Sequence, residues 1–212
     1  MKKIVVMLLV SAFANIYCVA QENLTAHNIL DRTADCIQTS GGVTAAFTTT
    51  TFLGTKPQDT INGTIDILGE KYVMKTPGLC TWFNGKEQWS HIVGSGEVNL
   101  SSPTPEELQV SSPLAFIGIY KSGFNLSSKK AELRGRKVWE VSLKPKKRAQ
   151  EPSLIVISID RETYAPMCIR IRNKKNWTRI SISDFKAGAG FTADHFIYPA
   201  QDYPENEIID MR

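Results

Sequence analysis

The sequence predicts a mainly β fold with a helical lid. We expect an unclosed, antiparallel half-barrel of about eleven strands, covered by an N-terminal helix and a mid-chain helix pair. Short runs rich in β-branched and aromatic residues follow one another from residue 43 onward, separated by tight turns such as Asn84-Gly85. Helix signals occur before the first of these runs and again at 103–123. The mid-chain stretch is too apolar for a surface crossover, so we expect both helical regions to cover the concave side of the sheet.

The first twenty residues are typical of a secretory signal peptide. Lys2 and Lys3 precede the apolar run IVVMLLVSAFA, and Ala20 is a small residue before Gln21. The apolar run is short for a membrane span. Because Cys18 follows a bulky tyrosine, we expect no lipid anchor there. The interpretation is a signal peptide at 1–20 and a single exported domain at 21–212, although two small domains also fit this length.

Charge gives no reason to expect a nucleic-acid partner. The chain has 25 basic and 21 acidic residues, and removal of two lysines with the signal peptide lowers the net charge from +4 to +2. Two basic runs stand out, KPKKR at 144–148 and the arginines and lysines of 170–179. We interpret them as solvated strand edges and turns; a membrane-surface or partner patch is the alternative.

The cysteines predict free thiols rather than a disulfide framework. Without Cys18, three cysteines remain, at positions 36, 80 and 168. An odd number cannot form a complete set of intramolecular disulfides. Buried thiols that behave as small apolar side chains are the expected state.

The chain begins with one helix and continues with strands. Thr25 can cap a helix in which Leu30, Ala34 and Ile37 recur at helical spacing before Gly41-Gly42 ends it. After this helix we expect a meander of sequentially paired strands, with Pro57 in a loop. The predicted strands are 43–52, 60–68, 71–76, 79–83, 86–92, 97–101, 124–128, 137–145, 153–160, 167–173, 177–185 and 195–199.

The mid-chain region predicts two short helices with a bend between them. Thr104 can cap the first, and Glu107 completes a capping box. Ser112-Pro113 repeats the start signal, and Gly123 is a stop. The second helix is apolar nearly all round, so most of its surface must be covered. The concavity beneath it is either a filled core or an apolar pocket, and periodicity does not decide between them.

No catalytic or metal-binding pattern stands out, so we predict no enzyme, no metal and no cofactor. The three histidines lie on different elements without an HExxH pattern. His195 follows Asp194, but no G-x-S-x-G motif accompanies them. Ser127 and Lys130 match S-x-x-K by letter in a polar turn. The four tryptophans fall on predicted strands, where they either pack across strands or line a pocket for apolar ligands.

The segment KTPGLCTWFNGKEQW, at 75–89, resembles the periplasmic outer-membrane lipoprotein carrier family, the LolA-like proteins. It contains the K-x-P-x-L-x-x-W strand, the D/N-G-K hairpin and the second tryptophan in that order. The N-terminal helix, AAFTT at 45–49, the mid-chain helical segment and HFIYP at 195–199 follow the same arrangement. The resemblance implies an unclosed β-barrel with a helical lid and an apolar cavity for acyl chains.

The resemblance also implies a function and a location. Such carriers take lipoproteins from an inner-membrane lipoprotein-releasing complex to an outer-membrane receptor through the periplasm. We therefore expect a monomeric periplasmic carrier for an acylated lipoprotein or another lipid. The alternative is a periplasmic sensor or interaction module of the same fold that carries nothing.

The predicted lipid-binding residues are apolar side chains of the strands and of the lid. Two positions depart from the family. At the position of Thr76 the family often has an arginine, which is thought to tie the lid to the barrel. At the position of Cys80 it often has an apolar aromatic residue, which is associated with hand-over of the cargo to membrane partners. These departures leave the control of the lid and the partner open. The full set is Phe47, Ile65, Met74, Leu79, Cys80, Trp82, Trp89, Leu114, Phe116, Ile117, Ile119 and Tyr120.

Overall fold

The computed structural model describes residues 24–105, 107–108, 118–147 and 150–212. The predicted signal peptide lies outside these residues. Helix α1, Ala26–Gln38, confirms the predicted N-terminal helix. The hydroxyl of Thr25 accepts a hydrogen bond from the Asn28 amide at 3.2 Å, which is the predicted cap. The apolar stripe of α1, including Leu30, Ala34 and Ile37, is buried.

Twelve strands form one sheet, and in the described part of the chain its two edges do not meet. This agrees with the predicted open half-barrel of about eleven strands. Their order across the sheet is β12-β6-β5-β4-β3-β2-β1-β11-β10-β9-β8-β7. The strands are β1 Val43–Leu53, β2 Lys56–Leu68, β3 Lys71–Lys75, β4 Leu79–Phe83, β5 Gln88–Ile92, β6 Glu97–Ser101, β7 Phe124–Leu133, β8 Arg136–Pro145, β9 Leu154–Asp160, β10 Pro166–Asn173, β11 Asn176–Ala187 and β12 Glu207–Asp210.

The sheet consists of two meanders joined along one strand pair. Strands β1 to β6 pair in sequence, and so do β7 to β11, all antiparallel. The meanders meet where β1 pairs with β11, with Phe47 opposite Ile182. Consequently β6 and β7, consecutive in the chain, lie at opposite sides of the sheet. The intervening residues 102–123 must connect these two sides.

The start of this connection forms the predicted capping box. The amide of Thr104 donates to Glu107 Oε2 at 2.7 Å, and the Glu107 amide donates to Thr104 Oγ1 at 3.3 Å. The Leu108 amide donates to the carbonyl of Thr104 at 3.0 Å, which closes a first helical turn. The rest of the predicted helix pair lies largely outside the described residues.

Two predictions about strands are wrong. The segment HFIYP does not form a strand: Ala193–Phe196 is a 3₁₀ helix, followed by a second 3₁₀ helix at Ala200–Asp202. Its alternating burial, with Phe196 and Tyr198 inside, arises because it packs onto the sheet instead of joining it. Pro57 lies in β2 and not in a loop. The β2–β3 pairing reaches only Thr64–Leu68, so this end of β2 has no β3 neighbour and tolerates proline.

Strand β12 has no counterpart in the sequence-based prediction. It pairs with β6 in parallel, with Ile208 opposite Val98. A four-residue strand between polar residues gives little alternation to detect, and its partner lies more than a hundred residues away in the chain. The short 3₁₀ segments carry the chain back to the sheet edge where β6 lies.

Side-chain alternation gives the sheet an inner face, which α1 covers, and an outer face. On the inner face, Ile29 and Leu30 of α1 pack on β8 and β9, and Ile37 packs with Val43 and Phe83. On the outer face, Phe196 and Tyr198 pack on a cluster from β3 to β6 that comprises Val73, Trp82, Trp89, Val98 and Leu100. Apolar packing therefore stabilises both faces of the first meander. No helix in the described residues is both long and apolar enough to cross a bilayer.

We predict that Phe196→Ala lowers the free energy of unfolding by about 3–5 kcal/mol, because the ring is completely buried in the outer-face cluster. Urea unfolding of the two proteins measures the difference. The matched control is Ile197→Ala, whose side chain is 42% exposed and should change stability by less than about 1 kcal/mol. Equal losses in the two variants would contradict this account of the C-terminal segment.

Candidate ligand-binding cavity

A cavity of about 1460 Å³ lies between α1, the inner face of the sheet and the described ends of the 102–123 connection. Helix α1 contributes Leu30, Ala34 and Ile37 to its wall. The connection contributes Pro103, Pro105, Leu108, Ile119 and Tyr120. Both α1 and the described ends of the connection therefore contribute to the wall of the cavity.

Alternating isoleucines on β9, β10 and β11 build one wall of the cavity. Ile169 lies opposite Ile157 on one side and Ile180 on the other, and Ile171 lies opposite Ile155. These five side chains line the cavity. The residues between them belong to the outer face, because successive side chains of a strand point to opposite sides. The wall is a row of branched aliphatic side chains without a charged group.

The absence of a side chain at Gly63 shapes another wall. Gly63 lies opposite Phe47 in the β1–β2 pair. A Cβ at this position would lie 2.4 Å from Cζ of Phe47 and 2.6 Å from the carbonyl oxygen of Lys75. The ring therefore lies directly against the backbone of β2, and Phe47 contributes to the cavity lining.

Polar contacts join the far end of the connection to α1. The Tyr120 hydroxyl donates a hydrogen bond to Asp31 Oδ1 at 2.6 Å, and His27 Nδ1 lies 2.8 Å from Asp31 Oδ2. The bond from Tyr120 is the main reason why the pKa of Asp31 is below its usual value, with a further contribution from His27. Burial and the neighbouring Asp31 raise the pKa of Tyr120. This end of the connection is thus held to α1 by a charge-assisted hydrogen bond.

The predicted lipid-binding residues divide into three groups. Phe47, Ile65, Met74, Ile119 and Tyr120 line the cavity. Leu114, Phe116 and Ile117 lie outside the described residues.

The third group lies elsewhere. Cys80, Trp82 and Trp89 belong to the outer-face cluster beneath Phe196. Leu79 is half-buried opposite Ile92 and does not contribute to the described cavity lining. The sheet therefore separates the two tryptophans of the family-like segment from the cavity.

The position where the family often has arginine is part of a tight turn in this chain. The amide and hydroxyl of Thr76 both donate to the carbonyl of Leu79 at 2.9 Å. The hydroxyl also accepts from the Leu79 amide at 3.1 Å. Thr76 thus stabilises the β3–β4 connection, and no described contact joins it to the 102–123 connection.

The lipid-binding residues predicted from the sequence do not include the α1 side chains or the isoleucines that line the cavity. The alternation in SLIVISID, MCIRIRN and WTRISISDF was a usable signal, because it predicts one apolar face on each strand. It does not identify which face lies beneath α1. That assignment depends on the β1–β11 pairing, which sequence periodicity does not reveal.

Both histidines of the outer face have a polar neighbour at one ring nitrogen, while the buried Nδ1 of His91 has no hydrogen-bond partner among the described residues. His195 Nε2 lies 2.8 Å from Asp66 Oδ2, so its partner is not the adjacent Asp194. His91 Nε2 lies 3.1 Å from the side-chain nitrogen of Asn206. Burial raises the pKa of the thiols of Cys36 and Cys168. Within the described residues, no group of three or more histidine, cysteine or acidic side chains could hold a metal ion.

Comparison with known proteins places this architecture in a family. The sequence model of the family described as "Outer membrane lipoprotein carrier protein LolA" matches residues 16–175. A search of curated proteins finds no significant match.

Three solved structures illustrate the likeness in fold. An uncharacterized conserved protein from Thermus thermophilus has a TM-score of 0.61 at 14% identity, covering 87% of this chain and 98% of its own. A LolA superfamily protein from Nitrosomonas europaea has a TM-score of 0.43 at 10% identity, with 82% and 98% covered. LprF from Mycobacterium bovis has a TM-score of 0.46 at 11% identity, with 82% and 96% covered. At these identities the first match supports the fold alone.

We predict that Gly63→Ala destabilises the protein by about 1–3 kcal/mol, because the new methyl group would overlap the Phe47 ring and the Lys75 carbonyl. Thermal and urea unfolding measure the loss. Gly78→Ala is the matched control, since a Cβ at Gly78 meets no atom within 4 Å. An unchanged stability of Gly63→Ala would mean that Phe47 does not lie against β2.

We predict that Tyr120→Phe raises the pKa of Asp31 and lowers stability by about 1 kcal/mol, because one hydrogen bond to the carboxylate is lost. A carboxylate with a lowered folded-state pKa stabilises the fold above its unfolded pKa, and this contribution is lost as the pH falls. The variant should therefore lose less stability than the parent between about pH 5 and pH 2. An NMR titration of Asp31 is the measurement; Tyr198→Phe, which removes a hydroxyl bonded to Asn206, should leave that pKa unchanged.

Proposed function

Because the chain belongs to the outer membrane lipoprotein carrier protein LolA family, we propose that it is a carrier that binds acyl chains in its cavity. The cargo is a lipoprotein or a related lipid, which the protein transfers from the inner to the outer membrane. On this proposal the protein acts in the periplasm after export by a cleaved signal peptide. Its partners are an inner-membrane lipoprotein-releasing complex and an outer-membrane receptor.

The observation that carries the proposal is the size and chemistry of the cavity. Its volume of about 1460 Å³ exceeds the roughly 300–1000 Å³ usual for small-molecule pockets. Isoleucines, Phe47, Met74 and Phe83 dominate the described lining on the sheet side. Each methylene moved from water to such a surface stabilises the complex by about 0.8 kcal/mol, so one long acyl chain gains on the order of 10 kcal/mol.

The topology supports a mechanism of loading and release. The described ends of the 102–123 connection line the cavity, and its far end is held to α1 by Tyr120 and Asp31. Displacement of this connection exposes the apolar wall without breaking any strand pair. A carrier needs such a movable cover, because the cargo must enter and leave while the sheet stays folded.

The cavity favours the carrier over a module with a filled interior. That alternative requires side chains to occupy the space between α1 and the isoleucine wall. The departures at Thr76 and Cys80 concern how the cover and the hand-over are controlled. They are consistent with a carrier whose docking partners or cargo differ from those of other family members.

The test of the proposal uses Ile119→Asp, which introduces a carboxylate into the cavity lining at the cover. We expect retention of a fluorescent fatty acid to fall at least tenfold, because a charge at this position must be desolvated when the acyl chain binds. Displacement titration and native mass spectrometry of protein purified from its host are the measurements. The matched control is Ile92→Asp, whose side chain is 54% exposed outside the cavity lining.

Two results would contradict the carrier. One is the absence of any copurifying or displaceable lipid in the unmodified protein. The other is equal retention by Ile119→Asp and the parent while circular dichroism shows both to be folded.

A further inference from the structure

One end of the sheet concentrates the basic residues of the chain. Because neighbouring strands are antiparallel, the β1–β2 turn, the β10–β11 turn and the residues around the end of β8 lie at the same end. We call this the basic end, defined by residues 50–60, 144–147, 150–153 and 172–179. It carries eight basic side chains, all exposed: Lys56, Lys144, Lys146, Lys147, Arg172, Lys174, Lys175 and Arg179.

The positive charge of the basic end is largely uncompensated. Its acidic residues are Asp59 and Glu151, both exposed, so its net charge is eight minus two, or +6. The whole chain has a net charge of +4, and the remainder is therefore slightly acidic. Glu151 accepts hydrogen bonds from the backbone amides of Lys174 and Ser153, which leaves the lysine ammonium groups facing solvent. The charge is a feature of this end and not of the molecule as a whole.

Apolar and aromatic groups accompany the charge. Leu53 lies at the tip of the β1–β2 hairpin, opposite Asn176, and is 61% exposed. The guanidinium of Arg172 lies 5.9 Å from the ring centroid of Trp177, and that of Arg179 lies 5.0 Å from the ring centroid of Phe52. An exposed leucine among basic side chains, with half-buried aromatic rings beneath them, is the composition that favours a lipid–water interface.

The cavity extends to the same end. Glu151, Pro152 and Asn173 belong to its lining, next to Lys174. Leu53 lies on the same alternating face of β1 as Phe47 and Thr49, which also line the cavity. The apolar inner face is therefore continuous with the exposed tip of the basic end.

We propose that the basic end is a docking surface for an anionic phospholipid bilayer. The lysines and arginines contact the phosphate groups, and Leu53 enters the interface. Docking brings the nearby part of the cavity to the membrane surface. An acidic protein partner would also complement the positive charge of the basic end. It would not account for the exposed Leu53 or for the apolar inner face that continues from the cavity to this end. The proposal rests on charge and exposure, so it holds whatever cargo the cavity takes.

The test is co-sedimentation with vesicles of phosphatidylcholine alone or of equal parts phosphatidylcholine and phosphatidylglycerol. We expect binding to the anionic vesicles, weakened by salt, and little binding to the neutral ones. Each basic residue near an anionic surface strengthens binding about fivefold, so Lys174→Glu with Lys175→Glu should weaken it at least tenfold. Leu53→Ser should weaken vesicle binding severalfold.

The matched control is Lys137→Glu with Lys186→Glu. Both lysines are exposed and lie at the opposite end of the sheet, near the start of β8 and the end of β11. The control has the same total charge as the test variant, and we expect it to bind within about twofold of the parent. Equal losses in the two double variants would overturn the proposal, because net charge alone would then explain the binding.

Other outcomes also overturn the proposal. Equal binding to neutral and anionic vesicles would do so, as would binding to neither. Salt-sensitive binding to poly-glutamate without vesicle binding would replace the bilayer with an acidic protein partner.

Measuring fatty-acid retention distinguishes a failure of membrane docking from a failure of the proposed carrier function. The Lys174→Glu, Lys175→Glu variant should retain its fatty acid in solution, since neither side chain lines the cavity. Loss of vesicle binding with normal fatty-acid retention would show that these lysines act in membrane docking and not in binding the cargo.

Discussion

The antiparallel pairing of β1 with β11 is the constraint on which the rest of the structure depends. It joins two sequential meanders into one sheet and places β6 and β7 at opposite sides. The chain must then pass from one side to the other, and the described ends of this connection line the same cavity as α1. The need for a long connection between β6 and β7 is therefore a consequence of strand order.

The same pairing divides the molecule into an inner and an outer side with different packing. On the outer side, Phe196 and Tyr198 fill the space above Trp82 and Trp89. On the inner side, α1 packs closely on β8 and β9, but between α1 and β10, β11 and β1 a large apolar space remains. The sheet thus gains a complete core on one side of the first meander, while its other side keeps room for a ligand.

Local signals could be predicted from the sequence, and long-range pairings could not. The cap at Thr25 and the capping box at Thr104 involve neighbours in the chain, and both form as predicted. The resemblance to the family is confirmed by the match to residues 16–175. The assignment of faces needs the strand order: Trp82 and Phe83 are adjacent, yet Trp82 packs outside and Phe83 lines the cavity. The segment HFIYP alternates like a strand, but its burial comes from packing onto the sheet.

The separate packing of the outer side has an evolutionary consequence. Because the C-terminal segment packs on the first meander from outside, the cavity-lining side chains of that meander, such as Met74 and Phe83, are not its only apolar packing. Selection can then replace these side chains one at a time. Such replacements would change the volume of the cavity to fit hydrocarbons of other shapes while the sheet stays folded.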